Sequence, residues 1–215
     1  MKSYLKLLLR HKWILAFFPV IIGFCVLSFS CNYYCNLYAG DWDTIHFYML
    51  PNFHLIVSVM SIWWTVLFFS GFISEPGNEL IFLGFHTNCV IGFQLFLEML
   101  YMISVSLYFF MVRDLYQLPV SLLYFLMAES FFMNGIAFLL IQLTRNISLA
   151  LGGVVVYCVF LLKFDQMDIL GKISIFADSQ EILQIPVRKL LIDLGLAIAF
   201  HVIGEICFRK RKVYF

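Results

Sequence analysis

Residues 120–143 read VSLLYFLMAESFFMNGIAFLLIQL. A single charge, Glu129, interrupts the run, which is closed by Pro119 on one side and by Thr144-Arg145-Asn146 on the other. About 20 such residues, wound as an α-helix, cross a hydrocarbon layer about 30 Å thick. A helix is the conformation that fits there, because it satisfies its backbone N–H and C=O groups without water. The block decides the fold because it recurs: comparable apolar stretches cover 13–30, 52–73, 89–112, 147–162 and 190–208. The predicted architecture is therefore all-α, a polytopic membrane protein whose six transmembrane helices form one transmembrane domain over residues 1–215.

Composition points the same way. The chain is 63% hydrophobic and 13% charged, whereas soluble domains are roughly 45–50% apolar and about 25% charged. A formal net charge of +1 leaves no basic footprint for nucleic acid, so the solvent partner expected of this chain is the lipid bilayer. Lys2, Lys6 and Arg10 share one helical face, with Tyr4, Leu5, Leu8 and Leu9 on the other. That pattern predicts an interfacial amphipathic helix over 1–12. The apolar run Trp13–Ser30 is long for a signal-peptide core and lacks a small-residue cleavage site, so it reads as a retained first span.

Sidedness follows from where the basic residues fall. With the N-terminus inside, Lys2, Lys6, Arg10, Lys12, Arg145, Arg209, Lys210, Arg211 and Lys212 lie on the cytoplasmic side, and Arg113, Lys163, Lys172, Arg188 and Lys189 on the outer side. The expected state is multi-pass in the cell (plasma) membrane with both termini cytoplasmic. Cys31–Pro51 is then external, and Tyr33, Tyr34, Tyr38 and Trp42 suit an aromatic belt at the interface. Cys31 and Cys35 could close a disulfide there, and Asp41, Asp43 and His46 raise the alternative of a metal site. The segment 163–189 is too apolar for a free loop and too broken for a span, which fits short re-entrant helices in the outer leaflet.

The familiar catalytic motifs are missing. Lys172 follows Gly171, but Gln166 stands where a P-loop needs its first Gly, and neither His-Glu-x-x-His nor Gly-x-Ser-x-Gly occurs. No catalytic or metal-ligating residue is assigned. Two carboxylates nevertheless sit deep in spans, Glu98 in the third and Glu129 in the fourth. A charged acid at mid-membrane costs roughly 2.5–3.5 kcal/mol on insertion scales, so each needs a partner, a proton or water. They are the candidates for a translocation path; Gln94, Asn134 and Gln142 are alternative hydrogen-bond partners that would make them structural. In the last span, Asp193 follows Lys189 by four and Glu205 precedes Arg209 by four, the spacing of local ion pairs. His201 and Glu205 share a face, which is a weak metal signal.

One connection is unlike the others. Residues 74–88, SEPGNELIFLGFHTN, begin with a Pro76-Gly77 turn and place Glu75 and Glu79 at a helix start, where the dipole favours negative charge. Leu80, Ile81, Leu83 and Phe85 then supply an apolar face. Glu75, Gly77, Glu79 and Leu80 resemble the acidic-Gly-x-acidic-Leu signature of the membrane subunits of type-2 ABC exporters. The departures are Asn78 where a hydroxyl residue is usual, the absence of flanking basic residues, and Gly84-Phe85-His86 in place of a proline. The resemblance covers the whole chain: six spans, an interfacial helix before the first, a cytoplasmic coupling segment after the second, and re-entrant helices between the fifth and sixth. It implies that Glu75, Gly77, Glu79, Leu80, Phe82 and Phe85 contact separate ABC ATPase subunits, which would carry ATP and Mg, since this chain has no P-loop. It also implies a second permease subunit, identical or homologous, and export of a peptide or lipid-like substrate, with antimicrobial peptides first. Two other classes remain open: a substrate-binding membrane subunit of an importer, and an intramembrane enzyme using Glu98, Glu129 or His201.

Overall fold

The computed structural model describes the backbone of residues 2–73, 88–164 and 187–212. These form six helices: α1 (Lys2–Leu37), α2 (Trp42–Ile73), α3 (Asn88–Tyr116), α4 (Val120–Thr144), α5 (Ile147–Phe164) and α6 (Val187–Lys212), with no strand among the described residues. Five contain apolar spans long enough to cross a membrane, at Pro19–Leu37, Trp42–Ser70, Gln94–Tyr116, Val120–Thr144 and Lys189–Lys210. The described part of α5 adds a shorter apolar helix, Ile147–Cys158. The protein is thus an all-helical, membrane-embedded bundle.

The helices overrun the spans expected from hydropathy. Where the sequence suggests an interfacial helix ending at Lys12 and a separate span from Trp13, a single unbroken α1 of 36 residues covers both, a length of about 54 Å at 1.5 Å per residue. Hydropathy marks where the environment changes, but a helix ends only where the backbone is forced out of it. Polar Asn32 and the tyrosines after it do not force that; Gly40 does, with φ +95 in the left-handed region that glycine adopts without strain. Asp41 N–H donates to Tyr38 O at 3.0 Å to close the turn, and α2 restarts at Trp42, ten positions before the expected second span. The segment read as an external connection, Cys31–Pro51, is therefore mostly helix. Its rings still gather at one end of the bundle, with Tyr48 stacked on Tyr34 and Tyr38 at centroid distances of 5.8 and 5.4 Å. Cys31 and Cys35 are both free thiols; lying one turn apart on the same continuous helix, they are not bridged.

Side-chain pairings fix the directions. Phe17 meets Trp64, and Ser30 accepts a hydrogen bond from Asn52 at 3.1 Å, so α1 and α2 run antiparallel. Phe24 stacks on Tyr108, and Asn32 accepts from Tyr116 at 2.9 Å, so α1 and α3 run the same way. His54 pairs with Glu129 and Thr65 with Asn134, which makes α2 and α4 parallel. Gly135 lies against Ala197 and His201, and Phe138 against Gly204, which makes α4 and α6 parallel. The described helices therefore alternate up and down, and the start of α1, the end of α2, the start of α3, Arg145 and the end of α6 all lie at one end.

The centre of the bundle is α4. Some 67% of its span is buried within the chain and 61% of that of α2, against 22% of the α1 span and 28% of those of α3 and α6. α4 packs most extensively on α6, then on α2 and α5. The peripheral helices are two-faced. On α3, Leu97, Tyr101, Val105, Phe109 and Val112 are buried, while Met99, Ile103, Leu107 and Met111 are exposed. An exposed apolar stripe at helical spacing is what a lipid solvent calls for.

Candidate functional site

The interior of this bundle is not uniformly apolar. On α2, His54, Ser58, Ser61 and Thr65 follow one another at four-, three- and four-residue spacing, which places them on one face, and all four are buried. That face meets α4, where Glu129, Ser130 and Asn134 are buried. The Nδ1 of His54 lies 2.7 Å from Glu129 Oε2, and the Ser58 hydroxyl donates to the same oxygen at 3.3 Å. Glu129 itself is completely shielded. One turn deeper, the Ser61 hydroxyl lies between Ser58 O at 2.6 Å and Ser130 O at 3.3 Å. A further turn along, the Thr65 hydroxyl donates to Asn134 Oδ1 at 2.6 Å, and the Asn134 amide donates back to Ser130 O at 3.2 Å.

From α3 the Gln94 amide donates to the Thr65 hydroxyl. One turn on, Glu98 is buried at 3% exposure, beside Asn134 and against α6. There its Oε2 lies 3.3 Å from His201 Nε2. The register that brings Glu98 to this depth is set by Tyr101, whose hydroxyl donates to Val57 O on α2 at 2.5 Å. On α6, His201 is fixed by its other nitrogen, Nδ1, 2.8 Å from Ala197 O. Gly135 permits that placement: a Cβ there would stand 2.9 Å from the His201 ring and 3.1 Å from Ala197 O.

Two histidine–carboxylate pairs thus lie inside the bundle, His54–Glu129 and His201–Glu98, with Asn134 between them. Burying an ionised group without compensation is far more costly than burying it in a hydrogen-bonded pair. Sequence reasoning singled out both carboxylates as path candidates, and the structure buries both. Of the alternative partners considered, Asn134 adjoins Glu98, whereas Glu129 takes its contacts from His54 and Ser58. His54 went unnoticed because its partner is 75 positions away; the signal that could have found it is the stripe His54, Ser58, Ser61 and Thr65 in an otherwise apolar span.

The remaining candidates resolve individually. Glu205 accepts from Arg209 Nε at 2.6 Å, the expected local pair. Asp193, in the first turns of the α6 span, is buried at 3% exposure. His201 and Glu205 share a face, but His201 is turned to Glu98, and among the described residues no group of three or more His, Cys, Asp or Glu side chains could hold a metal. Near Gly40, Asp41 accepts from the hydroxyl and backbone N–H of Thr44 at 2.6 and 3.3 Å, the N-cap of α2, and His46 Nε2 lies 3.1 Å from Tyr116 O. Those contacts use Asp41 and His46, two of the three residues that suggested a metal there. The hydrogen bonds from Thr44 hold the Asp41 carboxyl below its ordinary value. Glu75, Gly77, Glu79, Leu80, Phe82 and Phe85 lie in 74–87, and the expected re-entrant helices mostly in 165–186, both outside the described residues.

No protein-family model matches this chain, and no curated protein or solved structure matches it.

Proposed function

We propose that this chain is the permease subunit of an ATP-driven exporter, moving a peptide or lipid-like substrate out across the plasma membrane. The observation that carries the reading is the shared end of the bundle. The α2–α3 connection, which holds the acidic-Gly-x-acidic-Leu stretch, leaves from the same end as Arg145, Arg209, Lys210 and the start of α1. The positive-inside rule makes that end cytoplasmic, where soluble ATPase subunits carrying ATP and Mg would dock. A second copy of the chain, or a homologue, would complete the path. The lipid-facing stripe of α3 and the weakly packed α1 leave room on the outside of the bundle for such a partner.

The test is co-purification from native membranes. The tagged chain should bring down a nucleotide-binding subunit, and reversing the charges of Glu75 and Glu79 should release it and stop export. Absence of any ATPase, together with intact export in the double variant, would sink the proposal. The two buried His–Glu pairs support a second reading, an intramembrane enzyme. Turnover without ATP, abolished by Glu98→Gln or His201→Gln, would select it over the exporter.

A further inference from the structure

The contact between His201 and Glu98 carries a constraint that neither residue shows alone. Ala197 O can only accept a hydrogen bond, so His201 Nδ1, 2.8 Å away, must carry a hydrogen. In neutral His201 the nitrogen facing Glu98 is therefore a bare lone pair. A bare lone pair 3.3 Å from a carboxylate oxygen in a water-excluded interior is repulsive. One proton therefore belongs to the pair, either as imidazolium beside carboxylate or as neutral imidazole beside carboxylic acid. Moving it from Oε2 to Nε2 conserves total charge. At 3.3 Å the contact is longer than a typical charge-assisted hydrogen bond.

The same helix supplies a way out. Glu205 lies one turn beyond His201 and Arg209 one turn beyond that, on one face of α6. The Arg209 side chain is 52% exposed and donates to Glu205 Oε1, while Glu205 Oε2 is buried without a hydrogen-bond partner. Other titratable groups look into the seam nearer its opposite end: His54 and Glu129 from α2 and α4, Cys158 and Tyr157 from α5, and Asp193 from α6. Among the described residues no Lys or Arg falls among the buried side chains.

We propose that Glu98 and His201 form a buried proton-exchange site, reached from the Arg209 end of the bundle through Glu205. The proton leaves Nε2 or Oε2, passes by Glu205 to water, and leaves a carboxylate beside a neutral imidazole; its return restores the pair. Because the deprotonated pair carries a net negative charge in low dielectric, proton loss is tied to loosening of the α3–α6 contact or to arrival of another cation. The site is independent of any ATPase, so its test stands apart from that of the exporter reading.

The full-length chain in lipid nanodiscs should give an infrared carboxyl C=O signal that changes with pH, coupled to an imidazole signal. Glu98→Gln should remove it, Glu98→Asp should restore it at a shifted position, and Glu205→Gln should keep it while slowing proton uptake after a pH jump read by a dye. Should Glu98→Gln fail to fold, His201→Gln gives a second reading, with the carboxyl signal becoming insensitive to pH over the wild-type range. A wild-type spectrum without a titrating carboxyl, or one unchanged in folded Glu98→Gln, would overturn the proposal and leave the pair as structural glue. Unchanged uptake kinetics in Glu205→Gln would overturn the route.

Discussion

Glu129 illustrates how much a single buried side chain can demand. It sits at 0% exposure with His54 2.7 Å from one oxygen and Ser58 on the same atom. Removing one member of a buried pair leaves the other uncompensated, at about 3–5 kcal/mol, whereas replacing both by apolar groups of similar size is often close to neutral. Glu129→Ala should therefore destabilise the chain strongly, and His54→Leu combined with Glu129→Leu should recover most of the loss, as measured by equilibrium unfolding in bicelles. A loss in the double variant equal to the sum of the losses in His54→Leu and Glu129→Leu alone would mean that the pair is not coupled. The sequence marked Glu129 as costly, because a carboxylate in the middle of an apolar run needs no structure to be noticed. It did not supply the partner, because a histidine in a neighbouring span is only one of several polar groups that could reach it until the helix register is known.

Packing between helices turns on smaller residues. A Cβ at Gly204 would stand 2.6 Å from the ring of Phe138, which is itself fully buried, whereas a Cβ at Gly195 on the same helix meets nothing within 4 Å. Gly204→Ala should cost about 1–3 kcal/mol through overpacking, and Gly195→Ala should be neutral or stabilising by up to about 1 kcal/mol through helix propensity; thermal unfolding of the two variants side by side decides it. At the start of α2 the Asp41 cap makes a pH prediction. Its carboxyl is held below its ordinary value, chiefly by the Thr44 hydroxyl, so the cap contributes stability above the unfolded-state pKa and loses it as pH falls through the folded-state one. Thr44→Val should move the Asp41 titration, followed by carboxylate NMR, up toward the ordinary carboxylate value. At this scale sequence reading found the apolar segments and misplaced several ends. Hydropathy falls at Cys31, but α1 continues to Leu37 because nothing before Gly40 obliges the backbone to leave the helix. The glycines that bring α4 and α6 together were equally silent, since Gly195 and Gly204 look alike until the opposing surface is present.

Taken whole, the bundle separates its charges by end. Alternating helix directions bring Arg145 and Arg209 to one end with the start of α1, and carry Asp41 and Gln117 to the other, beside the Tyr34, Tyr38 and Tyr48 stack. The count of basic residues in the sequence predicts the same division without knowledge of which helices touch, because it depends only on where spans begin and end. It says nothing of the buried seam, whose members are scattered over four helices. A membrane potential and the insertion machinery act on that charge asymmetry and not on the seam, so sidedness can be tested without touching the interior. Single cysteines at Arg145 and Lys210 should be shielded from a membrane-impermeant thiol reagent in intact cells and become reactive on lysis. Cysteines at Asp41 and Gln117 should react before lysis, with the native Cys25, Cys35 and Cys207 replaced by Ala to lower background, since the first is exposed and the other two are partly so. Labelling of both sets before lysis would refute the division. The reverse pattern would put the 74–87 connection outside the cell, out of reach of any cytoplasmic ATPase, and the exporter reading would fall with it.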